Sequence, residues 1–115
     1  MRFLVVDDDN QKRTLIRSFL LEKGVNEVDV LTAEHAAGAR VLLAKGAVDV
    51  LLIDVLLPAR NGAEPRGENS IELLRQIVKD GTSPASRHIF VITSSPKALS
   101  AFEGEFTSLL TQILQ

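Results

Sequence analysis

Residues 48–58, with the sequence VDVLLIDVLLP, restrict the possible folds of this chain more than any other stretch. Apolar and β-branched residues follow one another almost without interruption, which is typical of a strand buried on both faces of a parallel sheet. Pro58 ends the run because proline cannot donate to a strand ladder. Open α/β sheets bind ligands beyond the carboxyl ends of their strands. Asp54 is therefore either a turn residue or part of a binding site.

Strands and helices are predicted to alternate along the rest of the chain. β-branched and aromatic residues mark the strands, and apolar residues three and four apart mark the helices. The predicted strands are residues 3–6, 27–32, 48–54 and 88–93. The predicted helices are residues 11–23, 33–45, 70–80 and 96 onward. A turn-rich link is predicted over residues 81–86, and Ser94 or Ser95 is the predicted start of the last helix, with Pro96 as its first helical residue. This order predicts an α/β fold with a doubly wound parallel sheet and right-handed crossovers.

The helix ends carry recognisable local signals. Asn10 is predicted to cap the first helix, with Asp9 favouring its positive end. Gly24 and Gly46 are predicted helix stops, and Gly104 is expected to split the last helical stretch. The apolar residues expected on the inner face of the first helix are Leu15, Ile16, Phe19, Leu20 and Leu21.

Composition excludes several classes of protein. A chain of 115 residues that is 45% hydrophobic and 24% charged suits one soluble domain with a single core. A net charge of −2 provides no basic surface for nucleic acid and no attraction to a membrane. The sequence has no cysteine, which excludes disulfides, thiolate metal sites and a cysteine nucleophile. No run is apolar enough to span a bilayer, and the N-terminus does not resemble a signal peptide, so a cytoplasmic location is expected.

Acidic and hydroxyl side chains follow three of the predicted strands. Asp7, Asp8 and Asp9 follow the first, Asp54 ends the third and Thr93 ends the fourth. Carboxylates crowded at one edge repel each other unless one is protonated or a cation lies between them. Oxygen ligands without His or Cys suit Mg²⁺ or Mn²⁺. A carboxylate in such a site can attack a phosphoryl group. The alternative, that residues 7–9 only cap the first helix, explains Asp9 but leaves two acids unexplained.

Three segments together resemble the receiver domain of two-component response regulators. They are residues 3–9 (FLVVDDD), 50–58 (VLLIDVLLP) and 89–94 (IFVITS). The resemblance covers about residues 2–95 and implies a flavodoxin-like fold. We therefore expect one receiver-like domain over residues 1–115, in which 1–95 follow the family pattern and 96–115 form an atypical helical C-terminus.

The resemblance also implies the roles of individual residues. Asp54 would be the phosphoacceptor. Asp8 and Asp54 would bind Mg²⁺ (or Mn²⁺) directly, and Asp7 through water. The main-chain carbonyl of Leu56 would be a further metal ligand. Thr93 would be the switch hydroxyl that moves toward the phosphoryl group.

The loop after the third strand departs from the family pattern. Gly62 has the usual spacing from Pro58, but the apolar helix motif over residues 71–75 begins late. Residues 63–69 therefore look like an insertion beside the site.

The C-terminal part departs more strongly. Receivers normally carry a fifth strand ending in Lys-Pro and an aromatic residue that reports the switch. Here four strands are predicted, Tyr and Trp are absent, and Lys97 is the only Lys after Thr93. Lys97 has the wrong spacing to be that Lys, and the open alternative is that it replaces the usual Lys spatially. The fifth strand is absent, or the chain is a fragment, or a partner supplies what is missing.

These observations predict a phosphorelay receiver that is phosphorylated on Asp54 with Mg²⁺ and then changes its partner or dimer contacts. A histidine kinase or phosphotransfer protein would be the phosphodonor, and a homodimer is expected through the C-terminal helix or the sheet edge. The alternative is a degenerate receiver that binds proteins independently of phosphate. An enzyme is not expected. An aspartyl-phosphate hydrolase would need an acid two residues after its nucleophile, where this chain has Leu56.

Overall fold

The computed structural model describes residues 1–46, 48–80, 88–93 and 96–114. The strands are β1 (Phe3–Val6), β2 (Val30–Ala33), β3 (Val50–Asp54) and β4 (His88–Ile92). The helices are α1 (Asn10–Glu22), α2 (Ala36–Ala44), α3 (Gly67–Asp80) and α4 (Pro96–Leu114), with a short 3-10 turn at Glu27–Asp29. None of these helices combines the length and apolar character that crossing a bilayer requires.

The described strands form one parallel sheet in the order β2-β1-β3-β4. Phe3 at the start of β1 pairs with the first residues of both neighbours, Val30 and Val50. β3 pairs with β4 as far as Asp54 and Ile92. The predicted doubly wound, flavodoxin-like parallel sheet is confirmed. Its parallel register brings the carboxyl ends of β1, β3 and β4 to the same edge.

Alternation along β1 divides the core between the two faces of the sheet, as the period of two requires. Leu4 and Val6 belong to the larger cluster, which also receives Leu74 of α3 and Phe106 of α4. Val5 belongs to a smaller cluster that includes residues of α1 and β2. Residues 51, 53, 55 and 57 are fully buried. The central strand is therefore rigidly packed where it reaches Asp54.

Several predicted boundaries were wrong. The 3-10 turn replaces the first half of the predicted strand over residues 27–32, and Val28 is 75% exposed. α2 begins at Ala36 because His35 caps it, with Nδ1 of His35 accepting a hydrogen bond from Gly38 N at 2.9 Å. α4 continues through Gly104 without the expected break. The predicted start of this helix at residues 94–95 and the link over residues 81–86 lie outside the described residues.

The buried face of α1 also differs from the prediction. Leu15 and Phe19, which were expected inside, are 71% and 56% exposed. Leu20 is buried as expected, and the side chain of Arg13, which was not expected inside, is buried with it. α1 therefore turns a charged residue toward the sheet at the end that lies beside the acidic edge.

Candidate functional site

The structure brings three of the predicted acids together at the carboxyl edge of the sheet. β1 and β3 are neighbours, so Asp7, immediately after β1, lies beside Asp54, the last residue of β3. One carboxylate oxygen from each of Asp7, Asp8 and Asp54 lies within 4.8 Å of the others. Asp7 and Asp54 are buried, whereas Asp8 is exposed. Two acids are thus removed from water and the third faces it.

The turn from β1 into α1 fixes the orientation of Asp7. The amide of Asp7 donates to the carbonyl of Ala33 at 3.0 Å, which continues the pairing with β2. Asp7 Oδ1 accepts a hydrogen bond from Asp9 N at 2.9 Å. Asp9 Oδ1 in turn accepts from Gln11 N at 2.9 Å and from Lys12 N at 3.3 Å. Asp9 therefore caps α1.

The prediction that Asn10 caps α1 was wrong by one residue. Asp9 has the extended backbone expected of an N-cap, with φ −82° and ψ 110°. Asn10 is the first helical residue, and its Oδ1 accepts from the guanidinium of Arg13 at 3.1 Å.

Arg13 connects this turn to Glu34, the residue that follows β2. Its Nη1 donates to the main-chain oxygen of Asp7 at 2.7 Å, and its Nη2 donates to Glu34 Oε1 at 3.1 Å. The sequence patterns did not predict a role for Arg13. The available signal was a cation four residues after the acidic cap at Asp9, a spacing that places the two residues on the same helix face.

Lys12 is a second cation that sequence analysis missed. Its Nζ lies 3.0 Å from Asp7 Oδ2 and 3.8 Å from Asp54 Oδ1. The distance to Asp7 is that of an ion pair, yet neither Asp7 Oδ2 nor Lys12 Nζ has a partner at hydrogen-bonding angles among the described residues. The pair is therefore an electrostatic contact between a buried carboxylate and a side chain that is 22% exposed.

The environment of the site raises two carboxyl pKa values. Burial, followed by repulsion from Asp7, raises the pKa of Asp54 to about 6. Lys12 and the backbone amides of Val55 and Leu56 partly offset this rise. Partial burial of its carboxyl group also raises the pKa of Asp8, with the charges of Asp7 and Asp9 adding to the effect. Both shifts mean that the site favours a bound proton or a bound cation over free carboxylates.

The other predicted site residues lie at the same edge. Thr93 follows directly after Ile92, the register partner of Asp54, and is half-buried. Leu56 is half-buried in the loop after β3. Their assigned roles stay predictions. Lys97 is exposed in the first turn of α4. Among the described residues, the cation beside Asp54 is Lys12 rather than Lys97.

Backbone hydrogen bonds join the two ends of the loop after β3. Leu57 N donates to Arg66 O at 3.2 Å, and Arg66 N donates back to Leu57 O at 2.9 Å. The first amide of α2 donates to Pro58 O at 2.9 Å. The predicted insertion over residues 63–69 is shorter than expected because α3 already begins at Gly67. The loop is therefore held at both ends.

This fold and edge define a parallel α/β protein with an acidic site beyond its strand ends. A family model for the response regulator receiver domain matches residues 3–103. The chain belongs to this family of receiver domains, and the resemblance seen in the sequence is confirmed.

Individual relatives agree with this assignment. The chain is 34% identical over 108 residues to the uncharacterized protein y4jS of Sinorhizobium fredii, an alignment that covers 94% of this chain and 26% of that protein. It is 34% identical over 80 residues to the transcriptional regulatory protein GlnL of Bacillus subtilis, covering 67% of this chain and 22% of the relative. The chain thus spans about a quarter of the length of these curated relatives.

A solved structure of similar fold is the response regulator TrrA from Thermotoga maritima in complex with Mg²⁺ and BeF. It shares 22% identity with a TM-score of 0.57, over 94% of this chain and 97% of that one.

Proposed function

We propose that this receiver domain is a signalling switch in which Asp54 accepts a phosphoryl group while Mg²⁺ or Mn²⁺ is bound. The observation that carries the proposal is the approach of Asp7, Asp8 and Asp54 oxygens to within 4.8 Å in a receiver fold. Two of these acids are buried side by side, which is unfavourable unless a positive charge compensates them.

The donor set fits a hard divalent cation. Asp8 and Asp54 would bind it directly, Asp7 through water and Leu56 through its main-chain carbonyl. These are all oxygen ligands, as Mg²⁺ prefers. The TrrA complex with Mg²⁺ and BeF supports this choice of cation for a related fold. When bound, the cation neutralises negative charge on the carboxylates and the incoming phosphoryl oxygens.

The chemical step is a transfer to the Asp54 carboxylate. One carboxylate oxygen attacks phosphorus, the bond from phosphorus to the donor breaks, and the leaving group departs with the bonding electron pair. The attacking oxygen must be unprotonated, and a bound cation favours that form because it opposes the rise in the pKa of Asp54 that burial causes in the metal-free site. Thr93 then donates its hydroxyl proton in a hydrogen bond to a phosphoryl oxygen.

The donor would be a histidine kinase or a phosphotransfer protein in the cytoplasm. The output would be a changed protein or dimer contact through α4 or the sheet edge at β4. Residues 1–115 would act as one domain, and as a switch rather than an enzyme. Slow loss of the phosphoryl group to water is compatible with that role.

The test is exposure of the protein to acetyl phosphate with and without Mg²⁺, followed by intact-mass measurement. Wild type is expected to gain one phosphoryl group only with the metal, and Asp54→Asn to gain none. Asp49→Asn is the matched control, because Asp49 lies before β3, at the other end of that strand from Asp54, where its Oδ2 accepts a hydrogen bond from Arg2 N at 2.7 Å. An unmodified wild type, or full labelling of Asp54→Asn, contradicts the proposal.

The second candidate is a degenerate receiver that binds proteins without phosphate. The observation that favours it is the edge at β4, where Phe90 is 54% exposed and the described residues add no further strand. Sedimentation of wild type and Asp54→Ala, with and without beryllofluoride, separates the two functions. The degenerate receiver predicts the same assembly in all four samples, whereas a switch predicts a change in wild type alone.

A further inference from the structure

Lys12 places a positive charge inside the acidic site. Its ammonium is 3.0 Å from Asp7 Oδ2 and 3.8 Å from Asp54 Oδ1. The Lys12 side chain is 22% exposed, and the side chains of Asp7 and Asp54 are 0% and 12% exposed. A charge contact this far from water is screened much less than one on the surface.

The local backbone holds Lys12 in this position. Asp9 caps α1 and accepts a hydrogen bond from Lys12 N, so the first turn of the helix is fixed. The same Asp9 donates its amide to Asp7 Oδ1. This leaves Asp7 Oδ2 as the oxygen that contacts the ammonium. Both ends of the ion pair are therefore anchored by one capping residue.

Helix stability does not explain a lysine at this position. Lys12 is the third residue of α1, where the helix dipole is positive and a cation is unfavourable. Its stabilising partners are the two acids rather than the helix. The position of the Lys12 ammonium is therefore explained by the acidic site and not by helix stability.

We propose that Lys12 is an internal competitor of the divalent cation: its ammonium neutralises Asp7 and Asp54, and it must leave them when Mg²⁺ binds. The inference rests on the proposed function in so far as the site binds a divalent cation. Two cations cannot approach the same carboxylate oxygens without strong mutual repulsion. Lys12 therefore sets the Mg²⁺ concentration at which the site becomes competent.

The direct test is calorimetric titration of Mg²⁺ into three variants, since the chain has no Trp or Tyr to report binding optically. Lys12→Met keeps the stem and removes the charge, and we expect it to bind Mg²⁺ about tenfold more tightly than wild type. Lys12→Arg keeps the charge and should stay close to wild type. Lys23→Met is the control because Lys23 lies at the other end of α1, roughly 16 Å away along the axis.

A measurement on wild type covers the case in which Lys12→Met does not fold. Nuclear magnetic resonance of the lysine Cε and Nζ groups should show the Lys12 signal moving on Mg²⁺ addition while the Lys23 signal stays fixed. A Lys12 signal that does not move while Mg²⁺ binds overturns the inference.

The outcomes separate this inference from the proposed function. Equal Mg²⁺ affinity in wild type and Lys12→Met, with Asp54 still phosphorylated, overturns the role of Lys12 alone. Tighter Mg²⁺ binding in Lys12→Met, without phosphorylation of Asp54 in any variant, supports the role of Lys12 as a competitor and contradicts the proposed function. Absence of Mg²⁺ binding in both proteins contradicts both.

Discussion

The guanidinium of Arg13 donates a hydrogen bond of 2.7 Å to the main-chain oxygen of Asp7. This bond connects α1 to the residue that follows β1. Because Asp7 is fully buried, its carbonyl has no water to replace a lost donor. The position of the acidic edge therefore depends on a side chain that is outside the proposed metal ligands.

Replacement of Arg13 should destabilise the fold. Arg13→Met keeps the apolar stem and removes the donors to Asp7 and Glu34, so we expect a loss of about 2 kcal/mol in the free energy of unfolding. Arg17→Met is the control, since Arg17 pairs at 2.7 Å with the exposed Glu27 and should lose less than about 1 kcal/mol. Urea unfolding followed by circular dichroism measures both, and equal losses would contradict a special contribution of Arg13 to stability.

The cap of α1 provides a second prediction. Asp9→Ala removes the acceptor for two helix amides and should cost about 1 kcal/mol of stability. Asp9→Asn keeps a capping oxygen and relieves repulsion among the neighbouring acids, so it should be at least as stable as wild type. Thermal unfolding compares the three proteins. If Asp9→Ala is as stable as Asp9→Asn, the cap does not contribute.

The acidic edge was predictable from sequence because its carboxylates lie at, or directly after, the ends of predicted strands. A buried strand ends at Asp54 and another ends before Asp7, and parallel pairing brings those ends together. The cations were not predictable in this way. Lys12 and Arg13 act through long side chains that reach back over the turn, and neither belongs to an apolar pattern.

Arg13 also explains why the inner face of α1 was predicted wrongly. Residues 13, 16 and 20 share one side of the helix, and a charge at the first of them conceals the pattern. Apolar spacing alone therefore placed Leu15 and Phe19 inside. At β2, alternation over residues 27–32 did not distinguish a 3-10 turn from extended strand, because both place successive side chains on different sides.

Close packing of α3 on α4 provides a third prediction. A Cβ at Gly67 would overlap the ring of Phe102, so Gly67→Ala should destabilise the fold by about 1–3 kcal/mol. Gly104→Ala in α4 is the control, because its Cβ would lie within 4 Å of no atom in the part of the chain that the structure describes. This substitution should add about 0.5–1 kcal/mol of helix stability.

A double-mutant cycle tests the cause of that loss. Phe102→Leu should recover part of the stability of Gly67→Ala, since a smaller side chain makes room for the added methyl group. Additive losses in the double variant would show that the ring is not the obstacle. Urea unfolding of the four proteins supplies the comparison.

The titration of Asp54 provides the last prediction. Its folded-state pKa of about 6 lies above the ordinary value of 3.8, so the folded protein holds a proton that the unfolded chain releases between those values. Stability therefore falls as pH rises through this window. For metal-free protein in EDTA we expect a loss of about 1–2 kcal/mol, less than the full shift implies because solvent screens the charge. Asp54→Asn lacks this titration. Its unfolding free energy, measured at pH 4, 5, 6 and 7, should exceed that of wild type by a margin that grows with pH, and parallel curves for the two proteins would contradict the shift.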